Sequence, residues 1–330
     1  MNTVKKGTRN GINRFKCKTC NSWFSINHKR KEPRVLTDHI DGKPLRTIAA
    51  KAKQSKSKVG RKYLDELKQL PDNNEVTYNY CNRFCGILVV DGKYVKVKGY
   101  EKKIPMLWGI DYLTHDIPIF VLARSESYAA WLKYFGYLKS AKYNPSIIIC
   151  DDNENIYKAA KYIFPNIILQ TCQVHFMENI RKLLSVRTDE KYKPFVLRLK
   201  KELFSFKLNI ETFRKRAFYI LKDNQDNPIL VNIMLKIDRY TQELTAAHYV
   251  QNAPRDTNLI ELYNSHLQAR LKSIKGFKSF QHAKLWLNAY ILRRRFKRFT
   301  DCSRKFRYLN GKSSISQTLK RGMVLTSFFD

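Results

Sequence analysis

The sequence predicts an α/β protein built on a mixed sheet, and three observations carry that expectation. First, residues 146–181 read as β-α-β. The apolar, β-branched run Ile147–Cys150 stops at two adjacent carboxylates, Asp151 and Asp152, and suits a strand buried on both faces. Ile156, Ala159, Ala160, Ile163 and Phe164 recur at helical spacing over 155–164, and Pro165 ends that helix. A second apolar run at 167–169 leads into Gln170, Cys172 and His175. Acid groups therefore stand at the C-terminal edge of a strand, where α/β sheets usually carry their chemistry. Second, residues 86–124 hold three apolar runs with short links, most simply an antiparallel meander. Third, 43% hydrophobic and 13% aromatic content over 330 residues argues for a packed chain of roughly two domains.

Charge is the outlier of the composition. Lys and Arg number 63 against 28 Asp and Glu, a formal +35 with pI ≈ 9.9. Self-repulsion on that scale destabilises a compact chain unless a polyanion neutralises it. Nucleic acid, whose condensed counterions Lys and Arg displace, is the fitting partner. A membrane surface fits less well, because no amphipathic anchor or lipidation motif is present. Residues 1–70 hold 19 basic and 5 acidic side chains, and 281–330 hold 12 and 2, whereas 86–180 hold 11 and 9. Basic flanks around a centre that keeps its acids match DNA-gripping ends around a carboxylate site. Seven cysteines, mostly in apolar runs, suit a reducing compartment without a disulfide framework. No run reaches the ~18 apolar residues of a membrane span, nor does the N-terminus hold a signal-peptide core. A soluble, cytoplasmic protein is expected.

Taken in order, residues 1–33 are basic and turn-rich, and 13–24 read as a β-hairpin with Cys17-x-x-Cys20 at its knuckle. Two thiolates at that spacing are half of a tetrahedral zinc site, and a ribbon needs a second pair. His28 is a candidate third ligand, while Cys81 and Cys85 complete the set poorly. A zinc-bound knuckle, a metal-free hairpin and a ribbon whose first knuckle lay upstream all stay open. Residues 34–75 read as a helix-turn-helix, with one stripe at Leu45, Ile48, Ala49 and Ala52 and the next at Val59, Leu64 and Leu67. Ser55 or Ser57 would cap the second helix. Lys56, Lys58, Arg61 and Lys62 fall early in it, where a recognition helix meets the major groove; an ordinary basic hairpin carries the same pattern. Residues 71–80 read as a linker.

The meander's first run, 87–90, ends at Asp91-Gly92, and 104–113 and 117–122 follow. Residues 127–140 make an aromatic-rich helix assigned to the core. From 181 to about 253 the pattern is helical, basic and less regular. Beyond Pro254, an apolar stripe runs through Leu259, Leu262, His266, Leu267, Leu271 and Ile274, with Glu261, Ser265, Gln268 and Lys272 opposite. A last basic helix, about 280–299, contains Arg293, Arg294 and Arg295.

Three acids stand at informative places: Asp91 after the first strand, Asp151 after the fourth and Glu261 near the start of a late helix. A helical crossover can set the fourth strand beside the first, and a helix packed on the sheet can bring the third acid to the same point. Carboxylates so close repel and raise one another's pKa unless a cation holds them ionised. Oxygen-only ligands suit Mg²⁺ or Mn²⁺. Two such ions about 4 Å apart activate a water or hydroxyl and stabilise the leaving oxygen of a phosphodiester. Each acid also has a plain local use. Asp91-Gly92 fits a hairpin turn, Asp151 or Asp152 a helix N-cap, and Asn258-x-x-Glu261 a capping box. Their joint order of strand, strand, helix favours a shared site.

Asp91-Gly92 after an apolar strand, Cys150-Asp151-Asp152 with its helix, Phe164-Pro165, and Gln170-x-Cys172-x-x-His175 with Asn179 together form a pattern. With Arg255-x-Thr257-Asn258-x-x-Glu261, then Lys272 and Phe277, it resembles the Mutator-like DDE transposases of bacterial insertion sequences. The resemblance covers about residues 86–300. It implies an RNase H-like core over 86–277 with an all-helical insertion at about 182–253, followed by a basic C-terminal helical region at 278–330. By that resemblance Asp91, Asp151 and Glu261 are the catalytic triad holding two Mg²⁺ or Mn²⁺ ions. Asp152 stands where the family usually has glycine. Cys172 and His175 match the family's Cys-x-x-His signature and, with Asp152 and Asn258, are expected to support the site. The N-terminal hairpin resembles the zinc-ribbon start of some insertion-sequence transposases, without the first Cys pair.

The expected function is a DNA transposase that hydrolyses the ends of its element and joins the freed 3′-hydroxyls to target DNA. The N-terminal helices would read terminal inverted repeats, while Arg293, Arg294 and Arg295 grip the backbone. Holding two ends together calls for a dimer or higher synaptic assembly. A non-catalytic DNA-binding protein derived from a transposase and an RNase H-like nuclease are the alternatives.

Overall fold

Three short strands open the chain in the computed structural model, which describes residues 2–9, 12–25 and 34–329. Strands β1 (Thr3–Arg9), β2 (Ile12–Cys17) and β3 (Trp23–Ser25) pair antiparallel in that order. Cys17 and Cys20 flank the expected knuckle. Backbone hydrogen bonds, first from Cys20 and then from Thr19, lower the Cys17 thiol to about 7. Cys20 Sγ lies 2.6 Å from Ser22 Oγ. Among the described residues no third metal-ligating side chain joins the two thiols, and His28 lies outside them.

Four helices follow: α1 (Val35–Ile40), α2 (Leu45–Ala52), α3 (Lys56–Gln69) and α4 (Asn73–Tyr80). Lys53 turns the chain in the left-handed region, and Ser55 Oγ caps α3 by accepting from Lys58 N at 3.2 Å. Val59, Tyr63 and Leu67 face inward on α3. Leu64, expected inside, is 40% exposed because Tyr63 fills that sector. The stretch expected to be a linker is instead α4. Asp72 caps it, Asn73 and Thr77 are buried, and both donate to the Pro118 carbonyl. Apart from Val76, its inward residues are polar and satisfied by the distant Pro118 carbonyl and Arg295, so hydrophobic periodicity does not reveal it.

The main sheet holds β4 (Ile87–Val95), β5 (Ile104–Asp111) and β6 (Phe120–Leu122), then β7 (Ile147–Cys150) and β8 (Ile168–Thr171). Their order is β6-β5-β4-β7-β8, with the first three antiparallel and β4, β7 and β8 parallel. The first and fourth strands of this sheet are therefore neighbours, as expected. Helices α5 (Tyr128–Ser140) and α6 (Glu154–Ile163) cover one face, where Leu88, Val90, Ile148 and Cys150 meet Trp131, Phe135 and Ala159. Ile87, Val89, Ile147 and Ile149 face the other way, into a core that also holds Val59, Leu67 and Trp286.

Helices α7 (Gln173–Leu183), α8 (Lys193–Glu202), α9 (Ile210–Lys222), α10 (Pro228–Arg239) and α11 (Thr241–Thr245) build a core of their own around Phe176, Leu199, Phe213 and Ile237. Helix α12 (Asn258–Ile274) packs on β4 and β5, followed by α13 (Phe280–Phe296) and α14 (Ser314–Thr318). On α12 the buried positions are Ile260, Tyr263, Asn264 and Leu267, so the stripe is rotated from the expected one, and Leu262 is exposed.

Helix α13 is a core helix despite its arginines: Trp286, Leu287, Ala289 and Ile291 are all buried. Arg295 is 0% exposed and forks onto Asp116 with two 2.8 Å hydrogen bonds. It also donates to Asn73 Oδ1 and Thr77 Oγ1. The assignment of Arg295 to DNA is thereby corrected, since a buried carboxylate claims its charge. Arg293 pairs with Asp41 at 2.9 Å, and the Arg294 guanidinium lies 4.8 Å from the centre of the Tyr263 ring. Among the described residues no helix is long and apolar enough to cross a membrane.

Candidate active site

Register brings the first two acids together. Ile87, Leu88 and Val89 pair in parallel with Ile147, Ile148 and Ile149, so continuing the ladder sets Asp91 beside Asp151. Side chains alternate along a strand. Asp91 therefore shares a face with Ile87 and Val89, the face on which α12 lies. Asp91 is no turn residue: β4 runs on to Val95, and Asp91 and Gly92 pair with Trp108 and Leu107 of β5. Gly92 is required by space, because a Cβ there would lie 2.7 Å from Glu126 Oε2.

The Asp91 carboxylate is fixed at both oxygens. Gly92 N donates to Oδ1 at 2.7 Å, and Asn264 Nδ2 of α12 donates to Oδ2 at 2.5 Å. Burial first, then the charge of Asp151, push this carboxyl up to about 7.

Asp151 and Asp152 are not caps. Asn153 caps α6 through its side chain, accepting from Asn155 N at 3.0 Å. Asp152 turns away to Lys236 of α10 at 2.9 Å, which separates the two neighbours chemically. Asp151 faces His175: its Oδ1 is 2.6 Å from Nδ1. The other imidazole nitrogen, Nε2, lies 3.3 Å from Glu261 Oε1. The Asp151 hydrogen bond first, then that to Cys172, raise His175 to about 11. One imidazolium thus links two of the three expected acids.

Glu261 is not a capping-box residue, since Thr257 at the N-cap of α12 makes no side-chain cap bond. Instead Thr257 is a hub. Its Oγ1 lies 3.2 Å from each of Cys172 Sγ, His175 Nδ1 and Glu261 Oε1. Its backbone N–H donates to the same sulfur at 3.4 Å. Asn258, expected to support the site, is exposed on the first turn of α12.

Among the described residues one donor set is close enough to invite a metal. One ligand atom each from Asp151, Cys172 and His175 lie within 4.8 Å of one another. That sulfur already accepts from Thr257, and both His175 nitrogens face acids, so this set reads as a hydrogen-bonded frame around Asp151. Carboxylate oxygens such as those of Asp91, Asp151 and Glu261 are the donors a hard divalent cation prefers, but these three do not form so close a set here. Asp91 lies near enough to Asp151 for that charge to add to burial, the larger cause, in raising its carboxyl.

Three residues at this site escaped the sequence reading. Thr257 lay within a quoted motif, and Asn264 sits one helical turn from Glu261, which was the available signal. Glu126 had none: it is an acid just before α5, and its importance is set by what folds onto it. Farther away, Lys56, Lys58 and Arg61 stand exposed on α3, while Lys62 is half-buried.

Comparison with known proteins adds an independent finding. The family described as "Transposase, Mutator family" matches residues 75–292. The transposase for insertion sequence element IS256 in transposon Tn4001, from Staphylococcus aureus, is 25% identical over 214 residues, 62% of this chain and 54% of that protein. The protein of the same description from Enterococcus faecalis matches to the same extent. The chain spans about half the length of these curated relatives.

Proposed function

The chain belongs to the Mutator family of transposases, and from that premise we propose that it is a DDE-type DNA transposase with an RNase H-like catalytic sheet. The observation that supports the reading is that Asp91 and Asp151 come from two parallel neighbouring strands while α12, which bears Glu261, is tied to both, through Asn264 to Asp91 and through His175 to Asp151. The strand order, with three antiparallel strands followed by two parallel ones, supports that reading of the sheet.

Asp91, Asp151 and Glu261 would hold Mg²⁺ or Mn²⁺. Two such ions supply a polarised water or 3′-hydroxyl and neutralise charge at the scissile phosphate. The chain's own groups do the rest. Gly92 N–H and Asn264 hold the Asp91 carboxylate in one orientation, and its proton leaves when the site is filled. His175 keeps Asp151 and Glu261 aimed at a common point, with Thr257 and Cys172 behind it. The positive surplus draws the polyanionic substrate in. The substrate proposed is the end of a transposable element, hydrolysed to a 3′-hydroxyl and then joined to target DNA. Both ends would be held in a dimer or larger assembly, with exposed Lys56, Lys58 and Arg61 of α3 on the DNA backbone.

The test is divalent-dependent nicking of end DNA. Asp91→Asn, Asp151→Asn and Glu261→Gln should each abolish nicking while retaining DNA in a mobility-shift assay. Asp152→Asn, whose carboxylate faces Lys236 and Tyr240 rather than His175, should still nick. Nicking that survives the three triad substitutions would remove the site assignment. Joining of a pre-cleaved end separates a transposase from a plain nuclease.

A further inference from the structure

Glu126 lies between the two aspartates' supports without belonging to either. Its Oε2 accepts from the Tyr94 hydroxyl of β4 at 2.6 Å. Its Oε1 accepts from Asn153 Nδ2 at 2.9 Å and from the Trp131 indole N–H of α5 at 3.2 Å. None of these three partners is a cation. The carboxylate also fills the space above Gly92, where even a Cβ would be too close. Tyr94 and Gly92 flank Asp91 on its strand, and Asn153 stands two residues past Asp151. One side chain therefore spans the two arms that carry the paired acids.

The chemistry of the three partners explains the residue type. All three present N–H or O–H groups, and an ionised carboxylate is an acceptor at every lone pair. An amide of the same length can keep Asn153 and Trp131 on its oxygen and donate to the Tyr94 hydroxyl, which also accepts, so reach is the property the tether needs most. Trp131 is fully buried, so the anchor on the α5 side is rigid. The other two contacts reach a strand and a loop, adding to the links that the sheet and α12 already make between them.

We propose that Glu126 is a positioning residue for the metal site, tying the Asp91 strand to the Asp151 loop so that both carboxylates close on the same divalent cation. This rests on the reading of Asp91, Asp151 and Glu261 as a metal site. Glu126 itself is bound by its three donors. It acts on the ion through the geometry of its neighbours, as outer partners of metal ligands do.

The test needs neither DNA nor turnover. Mn²⁺ binding to the full chain is titrated by the electron-spin-resonance signal of the free ion, with Asp91→Asn defining the site. Glu126→Asp keeps the charge and loses the reach; Glu126→Gln keeps the reach and loses the charge. A tether predicts that Glu126→Asp weakens Mn²⁺ by about 10-fold or more, with Glu126→Gln closer to the parent chain. Circular dichroism and the melting midpoint should confirm that both are folded. Unchanged affinity in Glu126→Asp, or a greater loss in Glu126→Gln than in Glu126→Asp, would overturn the inference. A parent chain without any Mn²⁺ site sensitive to Asp91→Asn would instead bring down the metal reading, and this inference with it.

Discussion

At the scale of single residues, Asp91 governs how the site responds to pH. Its carboxyl titrates near 7 rather than 3.8 because it is buried beside Asp151. Between those values the folded chain keeps a proton that the unfolded chain has lost. Its contribution to stability therefore falls as pH rises through that window. A cation requires the ionised form, so the sign reverses for binding. Mn²⁺ affinity should climb as pH rises toward about 7, with up to about one proton released per site below it. Calorimetry in buffers of different ionisation heat counts that proton, and a count of zero at about pH 6 would contradict the assignment. His175 works the other way. Raised to about 11 from 6.5, it contributes stability fully below 6.5, and that contribution is lost only as pH rises toward 11. The imidazolium is therefore in place throughout the range in which Asp91 titrates.

At the scale of elements, α13 and α4 hold each other through Arg295. Arg295 meets Asp116, Asn73 and Thr77 in full burial. Removing one partner of such a pair strands the other charge in the core, at a cost of about 3–5 kcal/mol. Arg295→Ala should lower unfolding stability by that amount in a urea titration. Arg293→Ala, losing a partly exposed pair with Asp41, should cost no more than about 1 kcal/mol. Arg295→Lys should not restore stability, because an ammonium lacks the fork that spans both Asp116 oxygens. Similar losses in Arg293→Ala and Arg295→Ala would contradict this picture of α13. The same logic explains why α4 was hidden in the sequence: its inward side chains bond to the Pro118 carbonyl and to Arg295, partners far along the chain.

At the scale of the whole molecule, the formal +35 is a statement about what the protein binds. Each phosphate neutralised by a lysine or arginine adds about 0.9 to the slope of log affinity against log salt. Replacing Lys56, Lys58 and Arg61 together by alanine should flatten that slope by up to about 3, measured with end DNA across a range of salt. Stability should barely move, since all three are exposed. An unchanged slope would move the DNA path away from α3. Helix α3 shares one apolar core with α13 and with the sheet face on which Asp91 lies. A cation lost on α3 and an acid lost on the sheet should therefore separate binding from nicking within one cooperative fold.

The sequence by itself determined the α/β class, the strand and helix succession from Ile87 to Ile274, and the three acids worth testing. Those features are local: burial imposes a period of two on strands and 3.6 on helices, and a motif keeps its spacing. Only the tertiary structure decided that Asp151 meets His175 while Asp152 turns to Lys236, that 71–80 holds a helix, and that Arg295 belongs to Asp116. It alone supplied Asn264 and Glu126, and it gave Thr257 its role. The reason is the reach of charge and hydrogen bonding. A polar side chain takes its role from its partner, and the Arg295 partner lies 179 residues away, beyond what any local pattern records.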